Sequence, residues 1–316
     1  MNNKALRGSL LLLLGSVIWG AAFAAQRVGM DHVGPFTFSG IRMLLAGLVM
    51  IPISHFAEKQ QAHRSSGREQ LRGGLLCGLF LFAATTLQQV GLVSTDAGKA
   101  GFITALYVVL VPVAGWLVLR RRLDGIVWAA VLLATAALYL LCVPKSGFRL
   151  QPGNLCLLGC AICFTGQILC VDHFAPRANG TALARDEFLV TGGLSMVIAL
   201  FTEEIRPDGI WEAAIPILYT GLLSGSLGYT LQIIGQRDVN PTVASLIMCL
   251  ESVFAVLTGA VLLGERMNGR EIAGCVLMFI AVILAQIRHF NLRRLTHLLT
   301  GSISRKRRRD KGVRED

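Results

Sequence analysis

The chain has 316 residues, 53% of them apolar and only 16% charged, with a mean hydropathy of +0.60. Soluble domains carry roughly 25% charged residues, so the polar residues here are too few, and too clustered in short islands, to clothe soluble domains. The net charge of +11 gathers at the end, where ten basic and three acidic residues from Arg288 onward give +7. That argues against a nucleic-acid-binding protein.

A hydrocarbon core of about 30 Å needs about 20 helical residues at about 1.5 Å each. Apolar runs of that length occur ten times, at 9–26, 34–55, 71–93, 98–119, 125–143, 153–172, 182–203, 210–236, 241–264 and 270–288. Unpaired backbone amides cost several kcal/mol in lipid, so each run is expected to be a helix. The first run, with Lys4 and Arg7 before it and AAFAA after it, has some features of a signal peptide. Its length, Trp19 and the nine runs that follow favour an uncleaved first helix.

Connections on the side of the N-terminus hold twelve Lys and Arg before the tail is counted, and those on the other side hold seven. The positive-inside rule then places both termini in the cytoplasm, and a bacterial inner membrane is the expected location. The RKRRR run at 305–309 follows a membrane helix directly, so the expected partner of the basic tail 289–316 is anionic lipid headgroups. Cys156, Cys160 and Cys163 copy the spacing of an iron–sulfur loop, but they sit in an apolar helical run where cysteine acts as a small hydrophobe. No metal or cofactor is expected. Asn179-Gly180-Thr181 matches a glycosylation sequon and falls in a connection expected to be cytoplasmic, so it is set aside.

The chain also resembles itself. At a shift of 144 residues, Thr86, Leu87, Gln88, Gly91 and Ala100 meet Thr230, Leu231, Gln232, Gly235 and Ala244, and Gly115 and Gly125 meet Gly259 and Gly269. The expected fold is therefore all-α and integral to the membrane, with ten transmembrane helices in two five-helix repeats, 8–143 and 152–288. Five is odd, so the second copy enters the membrane from the opposite side and the repeats are inverted. Inverted repeats recur in secondary transporters, with the substrate site near the midplane between them.

The segments IWGAAF around Trp19, FSGIR from Phe38 to Arg42, AGKAGFITALYVVLVPV through Pro112, and LESVFAVLTGAVLLGER through Glu265 carry a further likeness. Through them residues 8–288 resemble the drug/metabolite transporter superfamily, and within it the ten-helix EamA-type members. The resemblance implies movement of small metabolites, often outward, with widely differing substrates. The family often has proline after the glutamate of the ninth span. This chain has Ser252 there, so the resemblance carries no proline kink over.

Glu251 lies near the middle of the ninth span, and its counterpart at the 144-residue shift is Tyr107, near the middle of the fourth. A charge at that depth costs about 2.5–3.5 kcal/mol, so it is expected to face a wet cavity or a partner. Glu251 then either binds a cationic group or takes up a proton; the plainer reading is a carboxyl pinned by its neighbours. Arg42 cannot shed its charge and must turn inward, to hold a substrate carboxylate or to bond free carbonyls. Trp19 is read as a cavity wall or as packing. Gln88 and Gln232 lie near opposite ends of their helices, as inverted copies must, and are read as a gate pair or as interhelical hydrogen bonds. Gly74-x3-Gly78 and Gly221-x3-Gly225 fit a tight bundle.

The expected function is a secondary transporter exporting a small polar metabolite, such as an amino acid or a related compound, by alternating access, with proton coupling left open. The sequence has no GxxxxGK[ST] loop to bind ATP. The alternative is an integral membrane enzyme acting on a lipid-linked substrate, which would want His or Asp clusters near an interface. The six histidines are scattered.

Overall fold

The computed structural model describes residues 3–60, 67–95, 97–118, 120, 124–143, 152–262 and 268–285; the basic tail 289–316 lies outside the described residues. Long apolar runs without water can satisfy their backbone only from within, and every such run is helical. The first three spans are Asn3–Met30, Pro35–Gln60 and Gly67–Ser94. The fourth is broken into Ala97–Ala105 and Tyr107–Leu117, and the fifth is Gly125–Cys142. The sixth and seventh are Pro152–Phe174 and Gly180–Thr202. The eighth runs Ala214–Gln236 after a short Pro207–Glu212 helix. The ninth is broken into Pro241–Met248 and Leu250–Leu262, and the tenth covers 269–285. Seven of the described helices are long and apolar enough to cross a membrane by length and composition alone, with Gly125–Leu141 as a shorter one.

The packing obeys a two-fold exchange of the halves. The third span packs on the sixth as the eighth packs on the first, and the fourth on the sixth as the ninth on the first; the second and seventh, which exchange with each other, share the largest interface. With five spans per half, an axis that makes this exchange lies in the membrane plane, so the repeats are inverted. Glycines mark the equivalent crossings. A Cβ on Gly235 would lie 2.9 Å from the Gly8 carbonyl oxygen, and a Cβ on Gly91 3.1 Å from that of Gly153.

The fourth and ninth spans break at matching places, which the sequence did not foretell. At Leu106 and Cys249 the backbone tightens (φ −60°, ψ −11° and φ −60°, ψ −16°). Val109 N–H bonds the Leu106 carbonyl, and Ser252 N–H bonds the Cys249 carbonyl, both three residues back. The ninth span thus bends without proline. The breaks coincide with the crossing of the two helices, where Cys249 Sγ lies 3.6 Å from the Ala105 carbonyl oxygen. In the eighth span, Tyr219–Tyr229 winds as a π-helix.

The connections are held by side-chain caps. The Glu203 carboxylate, at the end of the seventh span, accepts from Phe36 N–H and Thr37 N–H at 2.8 Å each, at the start of the second. Asn179, set aside as a sequon, is a buried N-cap accepting from Thr181 N–H and Ala182 N–H.

Overpacking a tight contact costs about 1–3 kcal/mol, so Gly91→Leu and Gly235→Leu should each lower the melting temperature of the solubilised protein, and by similar amounts. A large effect from only one of them would count against the equivalence of the two crossings.

Candidate functional site

At the crossing of the broken helices, Tyr107 Oη donates to Glu251 Oε1 at 3.1 Å, and both residues are buried. These residues are 144 positions apart, so they are each other's counterparts. Under a two-fold exchange, counterparts touch only where the axis passes between them. This hydrogen bond therefore marks the axis.

A cavity of about 530 Å³, its mouth included, surrounds the pair. It is lined by Glu251, Tyr107, Trp19 and Arg42, and also by Gln88 and Gln232. The structure thus brings together all six residues singled out from the sequence. Trp19 meets Tyr229 at a tilt of 59°, with ring centroids 5.0 Å apart, and Tyr229 meets Phe188 edge-on at 5.9 Å. The Trp19 indole N–H donates to the Ser224 carbonyl at 3.0 Å. Ser224 lies in the π-helical turn, whose wider winding turns carbonyls away from the regular ladder.

Arg42 is buried beside the Phe38 ring, 5.6 Å from its centroid. Its Nε and Nη2 have no hydrogen-bond partner among the described residues. A guanidinium keeps its charge, and an unpaired buried charge is costly. Arg42 lines the cavity with these two nitrogens unpaired among the described residues.

The cavity walls depart from symmetry on one side. Toward the face where the first helix begins, Gln232 Nε2 on the eighth span donates to Gln167 Oε1 on the sixth at 3.0 Å and to Gln236 Oε1 at 3.1 Å. Arg237 Nε and Nη2 bond the Ala175 and Ala178 carbonyls. Among the described residues, the sixth span touches both the eighth and the ninth, whereas the first makes almost no contact with their equivalents, the third and the fourth. Among these residues the bundle is closed by side-chain hydrogen bonds toward the face where the first helix begins.

Sequence reasoning did not single out Gln167, Tyr229, Ser224 or Glu187. Glu187 Oε1 accepts from Gln167 Nε2 at 2.8 Å. A signal for it existed, because Glu187 lies 145 residues beyond Arg42, one step from the repeat shift. Within Arg185-Asp186-Glu187, however, nothing in the sequence says which side chain turns inward.

Inverted five-helix repeats around a polar midplane cavity define a membrane transporter. The profile of the EamA-like transporter family matches residues 6–143 and 151–286, and the chain belongs to that family. It is 31% identical to an uncharacterized transporter of Archaeoglobus fulgidus over 90% of this chain and 87% of that one. It is 25% identical to the S-adenosylmethionine/S-adenosylhomocysteine transporter of Chlamydia muridarum, covering 85% and 90% of the two chains. A probable amino-acid metabolite efflux pump of Salmonella typhimurium is 26% identical, with 90% and 96% covered. A solved crystal structure shares the fold, with a TM-score of 0.74 at 18% identity over 90% of this chain and 98% of that chain. The protein is an integral membrane transporter of small molecules and not an enzyme, so the lipid-linked chemistry considered above is set aside.

Trp19→Phe keeps an aromatic ring but loses the N–H to Ser224, at a cost of about 1 kcal/mol. Trp19→Ala also loses the ring contact with Tyr229 and should lower the melting temperature several times further. Equal losses from both variants would show that the ring contributes nothing.

Proposed function

We propose that the protein is a secondary transporter that exports an amino acid, or a compound with an amino-acid end, by alternating access of its two halves. The observation that carries this reading is one cavity lined by opposite, buried charges. Among the described residues, Arg42 has guanidinium nitrogens without partners, and the Glu251 carboxyl accepts from the Tyr107 hydroxyl. A carboxylate suits Arg42, which can bind it in bidentate fashion. An ammonium suits Glu251, with Tyr107 fixing the carboxyl's orientation. Trp19 and Tyr229 supply apolar wall for the side chain. The names of the Chlamydia and Salmonella relatives support the substrate class, since S-adenosylmethionine and amino-acid metabolites share the carboxylate and ammonium end. The Salmonella name also supports the outward direction.

Gln232 belongs to the gate that is shut here, and Gln88, its counterpart, belongs to the gate on the opposite side. With the N-terminus in the cytoplasm of a bacterial inner membrane, this conformation faces outward. The repeats 8–143 and 152–288 act as the rocking units, and the basic tail rests on anionic headgroups.

Uptake of labelled amino acids into inside-out proteoliposomes tests the assignment. A hydrogen bond to a charged group is worth about 1.5–3 kcal/mol, so Arg42→Gln and Glu251→Gln should each weaken the apparent affinity roughly 10- to 100-fold. Tyr107→Phe should weaken it less. Saturable flux with unchanged affinity in Arg42→Gln would remove the carboxylate from this account.

A further inference from the structure

Behind the cavity wall lies a carboxyl to which the cargo reading gives no task. Glu187 sits on the seventh span, with 0% of its surface exposed. Its Oε1 accepts from Gln167, while Oε2 is buried without a partner among the described residues. The charged neighbours on its own helix are occupied elsewhere: Arg185 bonds Asp186 at 2.8 Å and Ser54 at 3.0 Å, and Asp186 also accepts from Gln70.

The titratable groups that face it from the helices packed around it are Cys77 on the third, Cys170 on the sixth and Tyr229 on the eighth. The second span crosses the seventh with Gly40 on Met196, Leu44 on Gly192 and Gly47 on Leu189. That register puts Glu187 level with Val49, and Arg42 about 10 Å farther along the helix. No cation among the described residues bonds Glu187. A bare carboxylate in such a place is far costlier than the neutral acid.

Gln167, the partner of this carboxyl among the described residues, is also a member of the closed gate. Gln167 accepts from Gln232 with its other amide atom, Gln232 also donates to Gln236, and Gln236 Nε2 reaches back to the Ile168 carbonyl at 3.4 Å. The counterpart of Gln167 in the first half is Phe23, so the opposite side has no equivalent relay. The neutral acid fits the closed gate. An ionised one demands water or further donors, and parting the sixth and eighth spans would admit that water.

We propose that Glu187 is a proton-binding site whose protonated form latches the sixth span to the eighth through Gln167 and Gln232. Loss of the proton from Oε2 to water then opens the face at which the first helix begins. The inference rests on the alternating-access reading and divides the labour: Glu251 faces the cargo and Glu187 carries the proton. By linkage, whatever closes this gate raises the proton affinity of Glu187 to the same extent as protonation favours closure. Acidification therefore favours the conformation described here.

Infrared titration of the full-length protein in phosphatidylethanolamine–phosphatidylglycerol vesicles reads the protonated carboxyl directly through its C=O stretch. An acid band that bleaches on alkalinisation should be lost in Glu187→Gln and kept in Glu251→Gln. Hydrogen–deuterium exchange should show the segments around Gln167 and Gln232 losing protection as the wild type is made alkaline, beyond the rise in intrinsic exchange. In Glu187→Gln that extra pH dependence should vanish. Gln167→Leu leaves the carboxyl in place and removes its partner, so the band should shift rather than disappear and protection should be low throughout. A band that survives Glu187→Gln, or exchange that climbs as steeply in that variant as in wild type, overturns the proposal. Neither readout involves cargo, so unchanged flux in Arg42→Gln would sink the cargo reading while leaving this one to its own test.

Discussion

The hydrogen bond from Tyr107 to Glu251 is the contact on which the rest of the architecture turns. A two-fold relation between halves brings counterparts together only on the axis, and a residue on that axis faces both halves at once. Whatever rearrangement exchanges the roles of the halves leaves the separation of such a pair unchanged, because the exchange maps the pair onto itself. Everything away from the axis is free to differ between the two conformations. A cavity built at this point stays central whichever face is open, which is the geometric requirement for handing cargo from one side to the other.

Around that fixed point the scaffold is symmetric in its backbone and asymmetric in its polar chemistry. The glycine crossings at Gly8–Gly235 and Gly91–Gly153 and the breaks at Leu106 and Cys249 repeat between halves. Small residues allow close helix approach, and the crossing of two bent helices leaves room at the centre. The glutamine relay does not repeat, since Phe23 stands where the second half has Gln167. Arg42 and Glu187 lie on opposite sides of the axis, one a guanidinium and the other a carboxyl. A duplicated backbone supplies two interchangeable gates, and divergence of a few buried polar side chains biases which of them is shut.

Much of this was legible in the chain. Water is excluded from the bilayer core, so spans announce themselves as long apolar runs, and an ungapped repeat names counterparts without any structure. The repeat pairs Tyr107 with Glu251 from the sequence alone. Glu251 and Arg42 stood out because isolated charges at depth are costly. Glu187 was hidden because three consecutive charged residues near the start of a helix resemble an interface, and successive residues point about 100° apart, so only packing reveals which one turns inward. Gln167 was missed because an uncharged amide in an apolar run carries no comparable penalty. The bends in the fourth and ninth spans were unforeseen because they arise where the two helices cross, and in the ninth span the expected proline is absent.

The most direct test is the distance between spin labels at two counterpart pairs, Val28→Cys with Val90→Cys on the first and third spans, and Asp172→Cys with Ile234→Cys on the sixth and eighth. Each label of one pair sits 144 residues from its equivalent in the other pair. As the protein passes between its two conformations, one pair should lengthen while the other shortens by a similar amount. Two pairs that lengthen together, or one that moves while the other stays fixed, would contradict the inverted, exchanging halves on which the account depends.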